Sequence, residues 1–231
     1  GDYLQAMEDA DPARRLSVEQ WLDQNGWPAS DPERAWGLNT LITQEYSIDA
    51  NVLGTHAYIE GKDDRCGDAF VLGGFQRAPE HLAVSLDVRL KSPVSSVSAG
   101  KRGVVVLETD GTSHRADIVV VALPHPVLKP GVVRISGLPE ASRRGMTQLR
   151  TGNLEPVVLR FDEPWWTASG ITAPGIGLVG ARWSEWYDVS ANTGIPTLVG
   201  FCGGRAADGM PASDTGVVAE AVSELTRAFA N

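Results

Sequence analysis

Aromatic side chains, rather than metal ligands or nucleophiles, are the residues of this sequence whose clustering could do chemistry. Trp165, Trp166, Trp183, Trp186 and Tyr187 fall on or beside two neighbouring strand candidates. Rings gathered this way can wall a pocket for a flat cofactor or for an apolar or cationic substrate. They can equally be the core of a sheet packed on a helix, and spacing alone leaves both open. Side chains alternate along a strand, so Trp183 and Tyr187 are expected on one face and Trp186 on the other.

Other chemistries are poorly supplied. His56, His81, His114 and His125 lie far apart with no ligand spacing, so no metal site is expected. The two cysteines, Cys66 and Cys202, form no CxxC pattern, which predicts reduced, buried thiols rather than a disulfide framework or a zinc site. There is no GxSxG and no P-loop. Gly200-Phe201-Cys202-Gly203-Gly204 is glycine-rich but fails the dinucleotide fingerprint and reads as a turn.

The charge balance narrows the partners. Among 231 residues, 20 are basic and 29 acidic, a net charge of -9 with no basic stripe. Such a chain is a poor match for nucleic acid or for an anionic membrane surface. The longest purely apolar run, Ile118 to Leu123, is far too short to span a bilayer. The acidic start carries no signal-peptide region, so the expected location is cytoplasmic.

The elements that must position the rings can be read from caps, turns and periodicity. Residues 1–60 read as helical. Ser17 and Gln20 make a capping box, and Asp31-Pro32 opens a helix running through Trp36 towards Tyr46, with Trp36 expected in the core. A short helix is expected over 79–85. Strands are expected over 86–90, 94–98, 104–108 and 118–123, with Asp110-Gly111 as a hairpin turn. A helix follows over 139–149, then strands over 156–161, 181–189 and 197–202, with a glycine-rich loop over 170–180. The last helix begins near Ser213, with Val218, Ala221, Val222, Leu225 and Phe229 as its buried stripe. It runs to Asn231 without a cap, as though the chain were cut there. This order predicts a fold between α/β and α+β.

Three blocks, in order, resemble the flavin-containing amine oxidase family of monoamine and polyamine oxidase type. Gly73-Gly74-Phe75, His81-Leu82-Ala83 and Val88 to Val97 are similar to the family's GGF…LA…I.LN.PV..I. Ala116-Asp117 through Leu123-Pro124, ending in Val127-Leu128-Lys129, is similar to AD.VI.TLP.GVLK. Leu149, Gly152-Asn153, Val157 to Phe161 and Trp165-Trp166 are similar to L..GN.NKVVL.F..PFW. The resemblance covers about residue 17 to the end.

It implies a substrate domain of mixed sheet and helices plus the middle part of a two-domain flavin amine oxidase fold. Residues 1–65 would be the helical part of the substrate domain. Residues 66–135 would be the middle of the FAD-binding domain, 136–212 the sheet part of the substrate domain, and 213–231 a helix returning to the FAD domain. By position, Val94 resembles the valine whose backbone meets the adenine of FAD, and Ala122-Leu123-Pro124 resembles the segment near the flavin. Trp166 resembles a ring lining the substrate site, with Trp183, Trp186 and Tyr187 as its companions and Trp165 packed on the other side.

The resemblance also fails in three places. The family's N-terminal GxGxxG and its C-terminal flavin segment are both missing, which implies a middle portion: either a piece of a processed or divided polypeptide, with a second chain supplying the rest of the FAD site, or a truncated form of a longer chain. The family lysine that holds a water near flavin N5 is replaced by Pro156, which has no ionisable group and no N–H. The expected activity is hydride transfer from the carbon of a small-molecule amine to FAD, giving an imine. The alternatives are flavin-dependent oxidation of a non-amine substrate and a non-catalytic binding or assembly module.

Overall fold

The structure, a computed structural model, describes every residue except 1, 11, 13–14, 62–68, 70, 130, 171–174 and 230–231. In chain order its first elements are helices α1 (Asp2–Asp9), α2 (Val18–Gln24) and α3 (Pro32–Leu38), a π-helical segment (Asn39–Gln44), α4 (Thr55–Gly61) and α5 (Arg77–Ala83). Next come β1 (Val94–Gly100), β2 (Gly103–Glu108), β3 (Ser113–Ala116), α6 (His125–Leu128), β4 (Arg134–Ser136) and α7 (Glu140–Gln148). The last third holds β5 (Leu154–Arg160), α8 (Trp165–Ala168), β6 (Gly175–Gly177), β7 (Glu185–Asp188), α9 (Ser190–Thr193), β8 (Thr197–Gly203), α10 (Gly204–Asp208) and α11 (Asp214–Phe229). They form two compact units, one of Gly1–Leu72 with Gly152–Asn231, the other of Gly73–Thr151. Residues 136–151 lie in the second unit and α11 in the first.

In the first unit the helix starts follow the caps. The Ser17 hydroxyl accepts the Gln20 N–H at 3.2 Å, and the Gln20 side chain accepts the Ser17 N–H at 3.0 Å. Asp31 accepts the Glu33 N–H at 2.9 Å ahead of α3. Met7, Val18, Leu22 and Ile42 are buried between these helices. Trp36 is not in that core; it is 38% exposed.

The sheet of this unit has the order β5-β8-β7-β6, all antiparallel. One of its cross-strand rows is Val157, Gly200, Trp186 and Ile176. A Cβ on Gly200 would stand 2.8 Å from three atoms of the Trp186 ring, so the indole lies across the bare backbone of the neighbouring strand. Gly200 to Gly203 is therefore strand, not the expected turn. Helix α11 covers this face with Ala221 and Leu225, joined by half-buried Val217 and Phe229. The stripe thus runs at every fourth residue, and the expected Val218 and Val222 are exposed one position around the helix.

Two carboxylates lock this core. Glu224 of α11 accepts the backbone N–H groups of Arg182 and Trp183, each at 3.0 Å, and fixes the bend that leads into β7. Asp188 accepts the indole N–H of buried Trp166 at 2.8 Å and the Ser190 N–H at 2.9 Å. Burial pushes the Asp188 carboxyl up, but the hydrogen bonds from Ser190 and Trp166 outweigh it and hold the group below the usual carboxylate value.

The second unit is built on the sheet β3-β2-β1-β4, with β1 and β4 parallel and the other pairs antiparallel. The β2–β3 hairpin turns through Asp110-Gly111 as expected, with Gly111 at φ 92° and Asp110 accepting the Thr112 N–H at 2.8 Å. Two expected strands, 86–90 and 118–123, are irregular instead. Among the described residues no neighbouring strand pairs with them, and their side chains stand in solvent: Leu90 is 82% exposed, Ile118 81% and Val120 86%. The buried hydrophobic residues described in this unit are only Val97 and Val133.

Replacing Asp188 by alanine strands the buried Trp166 N–H, and denaturant unfolding should show a loss of about 1–3 kcal/mol. Because the folded carboxyl is depressed, its contribution is present above the unfolded pKa and disappears as pH falls through the folded one. Wild type should therefore lose part of its stability on acidification below about pH 4, and the alanine variant should lack that component. Gly200→Ala should lower stability by about 1–3 kcal/mol through displacement of Trp186, seen as a lower melting temperature and an altered near-ultraviolet tryptophan dichroism.

Candidate functional site

The core-filling rows of the first unit's sheet leave a second surface, on which every strand presents its alternate residues. Register aligns Pro156, Phe201, Glu185 and Gly177 in one row and Val158, Val199, Tyr187 and Gly175 in the next. Strand β5 is an edge strand, so Pro156, its third residue, is tolerated without an N–H to donate.

The entry of β5 is fixed by a close backbone crossing. A Cβ on Gly152 would stand 2.1 Å from the Ser47 carbonyl oxygen, so only glycine fits there. Ser47 itself sits at φ 59° and accepts the Asn153 N–H at 2.7 Å. Asn153 in turn accepts the Gly204 N–H at 2.9 Å, and its side chain donates to Asp208 at 3.2 Å. The Gly-Asn pair thus ties β5 to the segment after the π-helix and to α10.

On the outer surface the Tyr187 ring meets Phe201 edge-on, with centroids 5.8 Å apart at 78°. The Tyr187 hydroxyl donates to Glu185 Oε1 at 2.6 Å. A Cβ on Gly177 would stand 3.0 Å from the indole of Trp36, so Trp36 lies over this glycine at the end of the Glu185 row. Among the described residues nothing comparable covers Gly175, where the nearest atom to such a Cβ is 3.9 Å away. Gln44, on the π-helical segment, holds the edge of this surface by donating to the Phe201 carbonyl at 3.1 Å and the Ser184 hydroxyl at 3.2 Å. The result is a half-open aromatic surface bearing one carboxylate.

Of the four residues expected to line a substrate site, only Tyr187 is on this surface, 39% exposed. Trp166, Trp183 and Trp186 have no accessible surface and pack in the core beneath α11. Trp183 precedes β7, so strand alternation does not reach it; its ring sits 6.3 Å from Trp186, on the side opposite Tyr187. Trp166 lies in α8 rather than at a strand end, and Trp165 packs on it and on Phe229 in the same core. Glu185, Phe201 and Trp36 were missed. Phe201 was hidden in a presumed turn, Glu185 looked like an ordinary solvated charge, and Trp36 meets the sheet only through Gly177.

The residues expected to meet FAD lie in the second unit. Val94 opens β1 opposite Glu108. Ala122, Leu123 and Pro124 are exposed in the irregular stretch leading to α6, for which Pro124 is the N-cap. Exposed apolar side chains and backbone groups outside any ladder suit contact with a flat ring system, so these residues fit part of the group. A pyrophosphate cradle is another matter: the described residues before Gly73 contain no strand that could feed a glycine turn and helix. Among the described residues no three His, Cys, Asp or Glu side chains gather to hold a metal, and no helix is long and apolar enough to cross a membrane. Cys202 is a buried free thiol whose pKa burial pushes up to about 11, while Cys66 lies outside the described residues.

Comparisons with known proteins give the chain's family and fold. The family model for flavin containing amine oxidoreductase matches residues 4–231. The chain is 33% identical over 153 residues to lysine-specific histone demethylase 1 homolog 3 of Arabidopsis thaliana, covering 60% of this chain and 9% of that protein. It is 28% identical over 145 residues to polyamine oxidase 4 of Oryza sativa subsp. japonica, covering 61% of this chain and 29% of that one. Among solved structures, putrescine oxidase bound to putrescine superposes with a TM-score of 0.79 at 19% identity, over 98% of this chain and 56% of that one. Cyclohexylamine oxidase from Brevibacterium oxydans gives 0.80 at 18% identity, over 99% and 56%. These likenesses show a shared fold, mixed α/β with two sheets, of which this chain spans about half the oxidases' length. The chain belongs to the flavin-containing amine oxidoreductase family.

Proposed function

We infer that this chain supplies the substrate-binding part and the middle of the flavin-binding part of an FAD-dependent amine oxidoreductase. The observation that carries this is the two-faced sheet of the first unit, filled on one side and aromatic and half-open on the other, in a chain of this family. FAD, when bound, accepts the hydride that leaves the carbon next to the amine nitrogen. That nitrogen must be unprotonated, since its lone pair forms the new C=N bond of the imine, which water then hydrolyses. The residues of this chain orient the amine and remove water from around it: Tyr187 and Phe201 offer ring surface, and Val158 and Val199 offer apolar floor.

On the cofactor side, the backbone at Val94 and the segment Ala122 to Pro124 would hold part of FAD. The exposed apolar residues at 86–90 and 118–123 make a face that a further polypeptide, supplying the rest of the flavin site, would cover. A second reading, oxidation of a non-amine carbon framework, is favoured by Pro156, which brings no ionisable group to the position where relatives are expected to keep a lysine. A binding or assembly module without catalysis is the third reading, since the described residues before Gly73 offer no pyrophosphate cradle.

The visible spectrum of the native protein that carries this chain separates these readings. The amine oxidase reading predicts flavin absorbance that bleaches when amines are added without oxygen. Flavin that no amine bleaches points to the non-amine substrate, and protein without flavin to the assembly module. In the flavin-loaded protein, Pro156→Lys should speed reoxidation by oxygen by about tenfold or more, a barrier change of about 1.4 kcal/mol. Stopped-flow absorbance measures this, and an unchanged rate removes position 156 from the oxidative half-reaction.

A further inference from the structure

The second unit carries a concavity that the proposed oxidation does not use. Helix α6, the segment leading into β4, and helix α7 line a groove of about 290 Å³. Its floor is apolar: Val133 is buried, and Leu128, Ile135, Leu138 and Met146 are half-buried. His125, the first residue of α6, donates from Nε2 to the Met146 carbonyl of α7 at 2.7 Å, which fixes one wall against the other. Arg134 and Arg143 also line the groove. Among the described residues Arg134 pairs with no carboxylate, and Arg143 only with Glu140 of its own helix, in an exposed pair that contributes little. Residues 128–150 hold five basic residues and one acidic one, a local excess of cations that the chain's net charge of -9 conceals.

We propose that this groove docks an acidic polypeptide segment of a partner protein, one that sets a large apolar side chain on the floor between flanking carboxylates. Charge and shape select this occupant. The floor rewards an apolar side chain with burial, and each of the two guanidiniums can take a carboxylate in a charge-assisted contact. A small amphiphile with one carboxylate would satisfy one of them and leave the other unpaired. Residues 128–150 include no Phe, Tyr, Trp or His on which a base could stack, so a single-stranded nucleic acid gains nothing from the floor. The surplus of cations also steers an anionic segment to the groove and repels basic ones. The proposal stands apart from the amine-oxidising reading, because no residue of the groove belongs to the first unit and its sheet.

The test uses the native protein that carries this chain and the fluorescence anisotropy of a labelled peptide, Asp-Glu-Leu-Leu-Phe-Glu-Asp-Glu. Two control peptides change one property each: serine replaces Leu and Phe in the first, and Asn and Gln replace the acids in the second. The acidic, apolar peptide should bind saturably, and added salt should weaken it. Each control should bind about tenfold more weakly or worse, for loss of apolar burial in one and of charged partners in the other. Arg134→Glu combined with Arg143→Glu should also weaken the peptide by about tenfold or more, whereas Arg134→Lys with Arg143→Lys keeps the charge and should retain most of the binding. Because the control peptides leave the protein unaltered, a folding defect in a variant cannot imitate this pattern. Absence of saturable binding overturns the proposal, and so does equal binding of the serine peptide, which marks plain surface attraction. An oligothymidylate of equal charge that displaces the peptide assigns the patch to nucleic acid and overturns it. Self-association of wild type that the double glutamate variant abolishes gives the groove to a second copy and overturns it as well.

Discussion

The structure of the first unit depends on one contact, the Trp186 indole lying across Gly200. A ring this large needs a neighbour without a side chain, and glycine in the facing strand provides it. With Trp186 seated there, Trp183, Ile176, Leu198 and the α11 residues Ala221 and Leu225 close into one packed face. The opposite face is packed only in part. Trp36 of α3 and the π-helical segment cover its ends at Gly177 and Gly203, and Tyr187 and Val158 between them stay exposed. Strand periodicity sets a packed face on one side and a half-open face on the other.

The second unit obeys a different constraint. It has a well-formed hairpin and one parallel pair, yet almost no core, and its apolar segments at 86–90 and 118–123 face solvent. A sheet with so little buried surface gains its stability from what covers it. The chain matches about half the length of the solved oxidases, and among the described residues nothing of its own covers these segments.

Much of this was legible in the sequence where the signal is local. The capping box at Ser17, the cap at Asp31, the Asp110-Gly111 turn and the strand around Val157 to Arg160 all rest on neighbours within a few residues, and each is present. The misreadings share a cause: they needed a partner that is distant in sequence. Ile118 to Leu123 has the composition of a buried strand, but composition cannot supply the neighbour that makes a strand. Gly200 looked like a turn because its requirement, the Trp186 ring, belongs to another strand. Trp183 was assigned a face by alternation, although Glu224 of α11 bends the chain there before the strand starts. The family blocks were legible because they are linear motifs. The candidate site was not, because Glu185, Phe201 and Trp36 meet only through cross-strand register and one bare glycine.

The central claim is that the surface bearing Tyr187, Phe201 and Glu185 is where the amine binds. A crystal structure of the flavin-loaded protein with an unreactive amine analogue tests it most directly. The account predicts the analogue lying against Tyr187 and Phe201, with the buried tryptophans unmoved beneath the sheet. An analogue bound elsewhere, with this surface covered by protein, would contradict it.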